Sequence, residues 1–270
     1  MIVTRWGWCG AAAALVAAAA LAQEAGDSQQ QEGAVQEPSR VDPRAEEALK
    51  KMGRYLAEQK TLRFEAVYTQ DELLGDGLRS QVTRRVSIEL RRPDRLAAES
   101  TGDDRNKGYW YDGAQLTFLD REANVFSRVK TPATLDAMFD FLSEQYDMSM
   151  PLVDFLLSDP YTALAEGAGC GRYLGQHKVG EDQCHHLAFA QQDIDWQVWI
   201  ATGDKPLPRK FMVAYGALEG VPQFSAIFRK WETGIELADE RFEFKPPPEA
   251  MEVELLKPAR EDAAAETQPE

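Results

Sequence analysis

Two stretches of strict two-residue alternation constrain this chain more than any other feature. Leu62, Phe64, Ala66 and Tyr68 interleave with Arg63, Glu65, Val67 and Thr69. Val82, Arg84, Val86, Ile88 and Leu90 interleave with Thr83, Arg85, Ser87 and Glu89. Successive side chains of a strand point to opposite faces, so such runs make antiparallel strands with one buried and one wet face. Gly75-Asp76-Gly77 between them reads as a hairpin loop. Further strand runs follow at Arg95–Ser100, Gly108–Tyr111, Gln115–Leu119 and Val125–Val129, with Asp112-Gly113 as the clearest hairpin turn.

The pattern changes twice. Before the strands, Asp42-Pro43 supplies an N-cap and a first-turn proline, and Ala45, Ala48, Leu49, Met52, Tyr55 and Leu56 make one apolar stripe, so a helix is expected to about Gln59. In mid-chain, residues 131–159 are rich in Met, Phe and Leu, with helix starts expected at Thr131-Pro132 and Met150-Pro151. Strands then resume at Arg172–Val179, His185–Gln191, Trp196–Ala201, Pro208–Tyr215 and Gln223–Thr233, with a short piece at Arg241–Phe244. Pro246-Pro247-Pro248 is expected to end the fold. The expected fold class is therefore mainly β with α (α+β): an open, highly curved antiparallel sheet, a half-barrel of about 11 strands, covered by about three helices.

The flanks are of different composition. Arg5 followed by the 14-residue apolar run Cys9–Ala22, and Ala20-Leu21-Ala22 before Gln23, read as a cleavable secretory signal over residues 1–22. Trp6 to Ala22 is 17 residues, short of the ~20 that span a bilayer, so no transmembrane segment is expected after cleavage. Residues 23–41 read as a disordered linker, 42–256 as the half-barrel domain and 257–270 as a disordered acidic tail. The expected location is the periplasm.

An acidic balance of 45 Asp and Glu against 30 Lys and Arg excludes nucleic acid as a partner, because phosphate binding needs a basic surface. Loss of Arg5 with the leader takes the formal charge from −15 to −16. Cys9 leaves too, and Cys170 and Cys184 remain. In an oxidising compartment that even pair reads as a disulfide, its short loop giving roughly 3 kcal/mol; a metal site with His185 and His186 and a redox pair are the alternatives. Two thiols beside His-His fall short of a four-ligand pattern, so no metal is expected.

No catalytic or nucleotide-binding signature occurs in the sequence, and no cofactor is called for. The three histidines are His177, His185 and His186, and the last two, adjacent on a strand, face opposite sides. The informative constellation is apolar. Trp110, Phe118, Met138, Phe139, Leu142, Met150, Phe155, Trp196, Phe211 and Phe228 are the expected lining of a ligand cavity, since Met and aromatic side chains adapt to irregular apolar ligands and a sheet curled around few helices leaves a lumen.

Tyr109-Trp110-Tyr111-Asp112-Gly113, Cys184-His185-His186-Leu187-Ala188-Phe189, and Asp195 to Ile200 followed by Pro206 to Lys210 carry a resemblance. Residues 43–256 resemble a bacterial family of predicted periplasmic proteins of unknown function, itself similar to the superfamily of the outer-membrane lipoprotein carriers LolA and LolB. That resemblance implies an open curved sheet with helices as a lid and an apolar cavity for acyl chains, and it carries over no catalytic residue. The cysteine pair fits its pattern. A lipid-anchor cysteine of the LolB-like branch is lacking, and Arg84, on the apolar side of its strand, is the candidate for the cavity arginine.

The expected function is a monomeric, non-enzymatic carrier or sensor of a lipid or acyl-chain ligand, a lipoprotein included. The alternatives are a module that binds a peptide or protein partner, such as an envelope-stress sensor, and a hydrolase using His185 or His186.

Overall fold

The computed structural model describes residues 41–258 apart from Asp76 and Asp104. The expected signal, the linker up to residue 40 and the tail beyond residue 258 lie outside the described residues.

Helix α1 (Pro43–Glu58) begins where expected: the Asp42 carboxylate accepts the Arg44 amide at 2.9 Å, Pro43 fills the first turn, and Ala45, Ala48, Leu49, Met52 and Leu56 are buried. Six strands follow as an antiparallel meander: β1 (Thr61–Leu73), β2 (Arg79–Arg91), β3 (Arg95–Gly102), β4 (Asn106–Tyr111), β5 (Gln115–Asp120) and β6 (Val125–Lys130). The chain then forms α2 (Leu135–Tyr146), a 3₁₀ turn at Val153–Phe155 and α3 (Pro160–Ala165). A second meander comprises β7 (Cys170–Val179), β8 (Asp182–Ala190), β9 (Ile194–Ala201), β10 (Pro208–Tyr215) and β11 (Gln223–Thr233). β11 pairs antiparallel with β1, which fuses the two meanders into one sheet. A two-residue strand, β12 (Met251–Glu252), runs parallel to β6, giving the order β12-β6-β5-β4-β3-β2-β1-β11-β10-β9-β8-β7. The sheet is open, with its edges at β12 and β7.

Twelve strands at about 4.8 Å spacing would be more than 50 Å wide if flat. Yet Tyr111 and Leu116 of β4 and β5 share one buried cluster with Phe189 and Trp196 of β8 and β9, and with α1, α2 and α3. The sheet therefore curls its apolar face around the helices.

The period-two strands hold, while five local expectations are corrected. Thr131-Pro132 does not start α2: the Thr131 amide still pairs with the Ala114 carbonyl at 3.0 Å, and the Pro132 carbonyl accepts the Tyr111 hydroxyl at 2.6 Å, which keeps the chain out of the helix until Thr134 caps it. Met150-Pro151 starts no α-helix, since Leu152 adopts φ 67° and only the 3₁₀ turn follows; α3 is opened instead by Asp159, whose carboxylate accepts the Thr162 amide at 3.1 Å. Arg241–Phe244 is not a strand, and Pro246-Pro247-Pro248 does not end the fold. Residues 234–253 form a strap across the sheet's outer face, with a 3₁₀ turn at Asp239–Arg241, and reach β6 as β12. The strap is held by buried Glu89, whose carboxylate takes Arg241 Nε at 2.7 Å and Arg63 Nε at 2.8 Å, and by Arg91, which donates to the Leu237 carbonyl at 2.9 Å. Last, Cys170 and Cys184 are free thiols. Cys170 lies opposite Ala190 and Cys184 opposite His177. That is six positions along one ladder, roughly 20 Å, far beyond the ~7 Å Cα separation a disulfide tolerates.

Candidate binding site

Residues 131–165 form a cover over the sheet's core face. Met138, Phe139 and Leu142 of α2, Phe155 of the 3₁₀ turn, and Trp196, Phe211 and Phe228 of β9, β10 and β11 all join one buried cluster. Phe155, with no exposed surface, inserts edge-on between Phe211 (ring centroids 5.1 Å apart) and Phe228 (5.2 Å). Phe118 and Met150 pack half-buried against the same cluster. Nine of the ten expected lining residues thus meet on one face, but in this closed arrangement they fill it. Trp110 is the exception. Its neighbours Tyr109 and Tyr111 take the core side, so alternation places Trp110 on the outer face, against Phe244 of the strap at 5.1 Å.

The cover is irregular between α2 and α3 and is tied to the sheet by few polar links. Arg92 donates to the Leu156 carbonyl at 2.7 Å, the Leu135 amide to the Pro93 carbonyl at 2.9 Å, and within the cover the Ser158 amide reaches Asp136 at 3.0 Å. Lys257, beyond the strap, reaches Gln145 of α2 at 3.1 Å. Asp154 and Trp196 are nearly fully buried, and Asp154 Oδ1 and Trp196 Nε1 have no partner among the described residues. Burial pushes the Asp154 carboxyl up to about 7 and, with Asp154, raises the Tyr215 hydroxyl. Arg84 does lie on the core side, 3% exposed, with Nη2 3.1 Å from Glu72 Oε1 and its guanidinium 5.9 Å from the Tyr68 ring centre.

An open cleft of about 700 Å³ lies on the flank of α1, facing β7–β9. Its floor is Ala48, Tyr55, Tyr173, His185, Ile200 and Pro206; Arg44, Lys51 and Arg54 stand at its rim with Glu47, Glu58 and Asp204. The Tyr173 hydroxyl and His185 Nδ1 are 2.8 Å apart, and the Arg44 guanidinium sits 4.9 Å from the Tyr173 ring centre. Burial, then Lys51, holds the His185 imidazole below its usual value. Two smaller clefts, about 320 and 460 Å³, lie on the outer face beside the strap, and Trp110 lines both.

The sequence did not single out Tyr173 or the polar flank of α1. The repeat of polar residues at 44, 47, 51, 54 and 58 was the available signal, since three- and four-residue spacing marks one helix face.

The histidines face opposite sides as expected. His185 meets Tyr173, whereas His186 stacks on Trp199 at 4.0 Å and bonds His177 at 2.9 Å and Gln197 at 2.8 Å on the other face. Neither touches a serine or cysteine nucleophile in these contacts. Burial raises the Cys184 thiol to about 11. Among the described residues, no group of three or more His, Cys, Asp and Glu could hold a metal ion, and no helix is long and apolar enough to cross a membrane.

Solved structures similar to the chain include lipoprotein LppX of Mycobacterium tuberculosis, with TM-score 0.47 and 12% identity over 73% of this chain and 100% of that one. An uncharacterized conserved protein of Thermus thermophilus gives TM-score 0.45 and 12% identity over 78% and 99%. A LolA superfamily protein of Nitrosomonas europaea gives TM-score 0.37 and 10% identity over 74% and 97%. Comparison with curated proteins finds no match. Residues 45–256 match the family model described as "Predicted periplasmic protein (DUF2092)", nearly the span over which the resemblance was read. The chain belongs to the DUF2092 family.

Proposed function

We propose that this protein is a non-enzymatic periplasmic carrier or sensor of a lipid-like ligand, taken up between the cover and the core face of the sheet. One observation carries the reading. Phe155, on a segment with a single 3₁₀ turn and no α-helix, is the side chain that fills the space between Phe211 and Phe228. Displacing it exposes a continuous apolar surface, and each CH₂ of an acyl chain buried there contributes about 0.8 kcal/mol without any specific polar contact. The Met and Phe content of the cover suits chains of varied shape. No catalytic group enters this account. Hydrogen exchange with and without added oleate tests it. Amides of residues 147–159 are expected to change protection when oleate binds, and oleate that binds without altering this segment overturns the reading.

A further inference from the structure

The cleft on the flank of α1 has no part in that account. α3 packs against α1 at Gly53, where an added Cβ would lie 2.6 Å from Tyr161 Cβ, and Tyr161 reaches Glu46 at 3.2 Å. The cleft opens on the opposite flank of the buried stripe, along Ala48, Lys51 and Tyr55. Its volume of about 700 Å³ is in the range that encloses a small organic ligand.

The chemistry of the lining selects among ligands. Three cations and three carboxylates stand at the rim and cancel, so no net field favours a charged molecule. The floor is apolar except for the Tyr173–His185 pair and the Tyr55 hydroxyl, which is 3.1 Å from Thr233 Oγ1 and so already engaged. A phenol O–H is always available as a donor, whereas imidazole Nδ1 can accept. Tyr173 therefore donates to His185 Nδ1, which fixes the neutral imidazole with its proton on Nε2. Nε2 has no partner among the described residues, leaving one hydrogen-bond donor on an apolar floor. We infer that this cleft is a binding site for a neutral, elongated apolar molecule carrying one acceptor oxygen, such as an ester or ketone, which His185 Nε2–H engages.

The test uses the full chain and Nile red, a neutral dye with one ring carbonyl. Saturable binding with a blue-shifted emission is expected. Gly203 lines the cleft, and a Cβ there meets nothing within 4 Å, so Gly203→Trp adds an indole at the cleft wall with no clash at Cβ. That variant, with an unchanged circular dichroism spectrum, should bind the dye more than tenfold more weakly. His185→Leu should weaken binding about five- to tenfold, the usual effect of one lost hydrogen bond. Methyl laurate should displace the dye at least tenfold better than laurate. Absence of dye binding, or equal binding by wild type and Gly203→Trp, overturns the site, the latter placing the dye elsewhere, as under the cover. Equal displacement by laurate and its methyl ester overturns the neutral-ligand assignment.

Discussion

Asp154, on the 3₁₀ turn of the cover, is buried with Oδ1 unpartnered among the described residues, and desolvation moves its carboxyl from 3.8 to about 7. A carboxyl whose pKa is higher in the folded state binds its proton more tightly there. The closed fold is then most stable below the unfolded pKa, near 4, and loses stability as pH rises from there to the folded value near 7. The shift of about 3 units is worth roughly 4 kcal/mol at pH 8, at about 1.36 kcal/mol per unit. This is an upper bound, because any opening of the cover that admits water to the carboxylate relieves it. Asp154→Asn removes the titration while keeping the side-chain shape. Urea unfolding of wild type and variant at pH 5 and pH 8 isolates the effect, since every other group titrates in both proteins. The variant should gain on the wild type by about 1 to 3 kcal/mol between those two pH values. A difference that stays constant across that range would show that Asp154 is not a buried, ionising group and would remove the closed cover from the account.

Other outcomes follow from the same contacts. Phe155→Ala should destabilise the fold by about 3 to 5 kcal/mol in urea, the usual loss for a buried phenylalanine; under 1 kcal/mol would mean that the cover is not packed. Glu89→Ala should cost about 2 kcal/mol and raise proteolytic cleavage within residues 234–253, because Arg241 of the strap loses its carboxylate partner on β2; an uncut strap would assign its retention to buried Phe242 and Leu237 and to the Arg91 bond. Under non-reducing conditions, both Cys170 and Cys184 should take one alkylating label each after unfolding. In the native protein Cys184, fully buried and with a raised thiol, should resist while Cys170 reacts; a mass showing a Cys170–Cys184 bridge would contradict the β7–β8 register.

The strands were legible because period-two alternation is a local property, and so was α1, whose cap and stripe lie within sixteen residues. What escaped depends on the fold. Thr131-Pro132 has the chemistry of a helix start, but Ala114 and Tyr111, brought there by the β4–β5 hairpin, hold that backbone out of the helix. In β4, aromatic residues occupy both faces, so alternation separates Trp110 from Tyr109 and Tyr111 without telling which side is the core. The strap that covers Trp110 has no periodic pattern to announce it. The cysteine pair suggested a bridge by its even number and an oxidising compartment, and neither carries information about register. The ligand-lining set was gathered by residue type. Nine of the ten lie on the core face, and only packing shows that Phe155 fills the space between Phe211 and Phe228.

The most direct test of lipid carriage is native mass spectrometry, with organic extraction, of the protein purified from the bacterial periplasm without detergent. Carriage predicts bound species at discrete added masses that match extracted acyl lipids and that diminish when Phe155→Trp overfills the space beside Phe211 and Phe228. Protein that is lipid-free in that preparation, and that takes up no oleate when it is added, would contradict it.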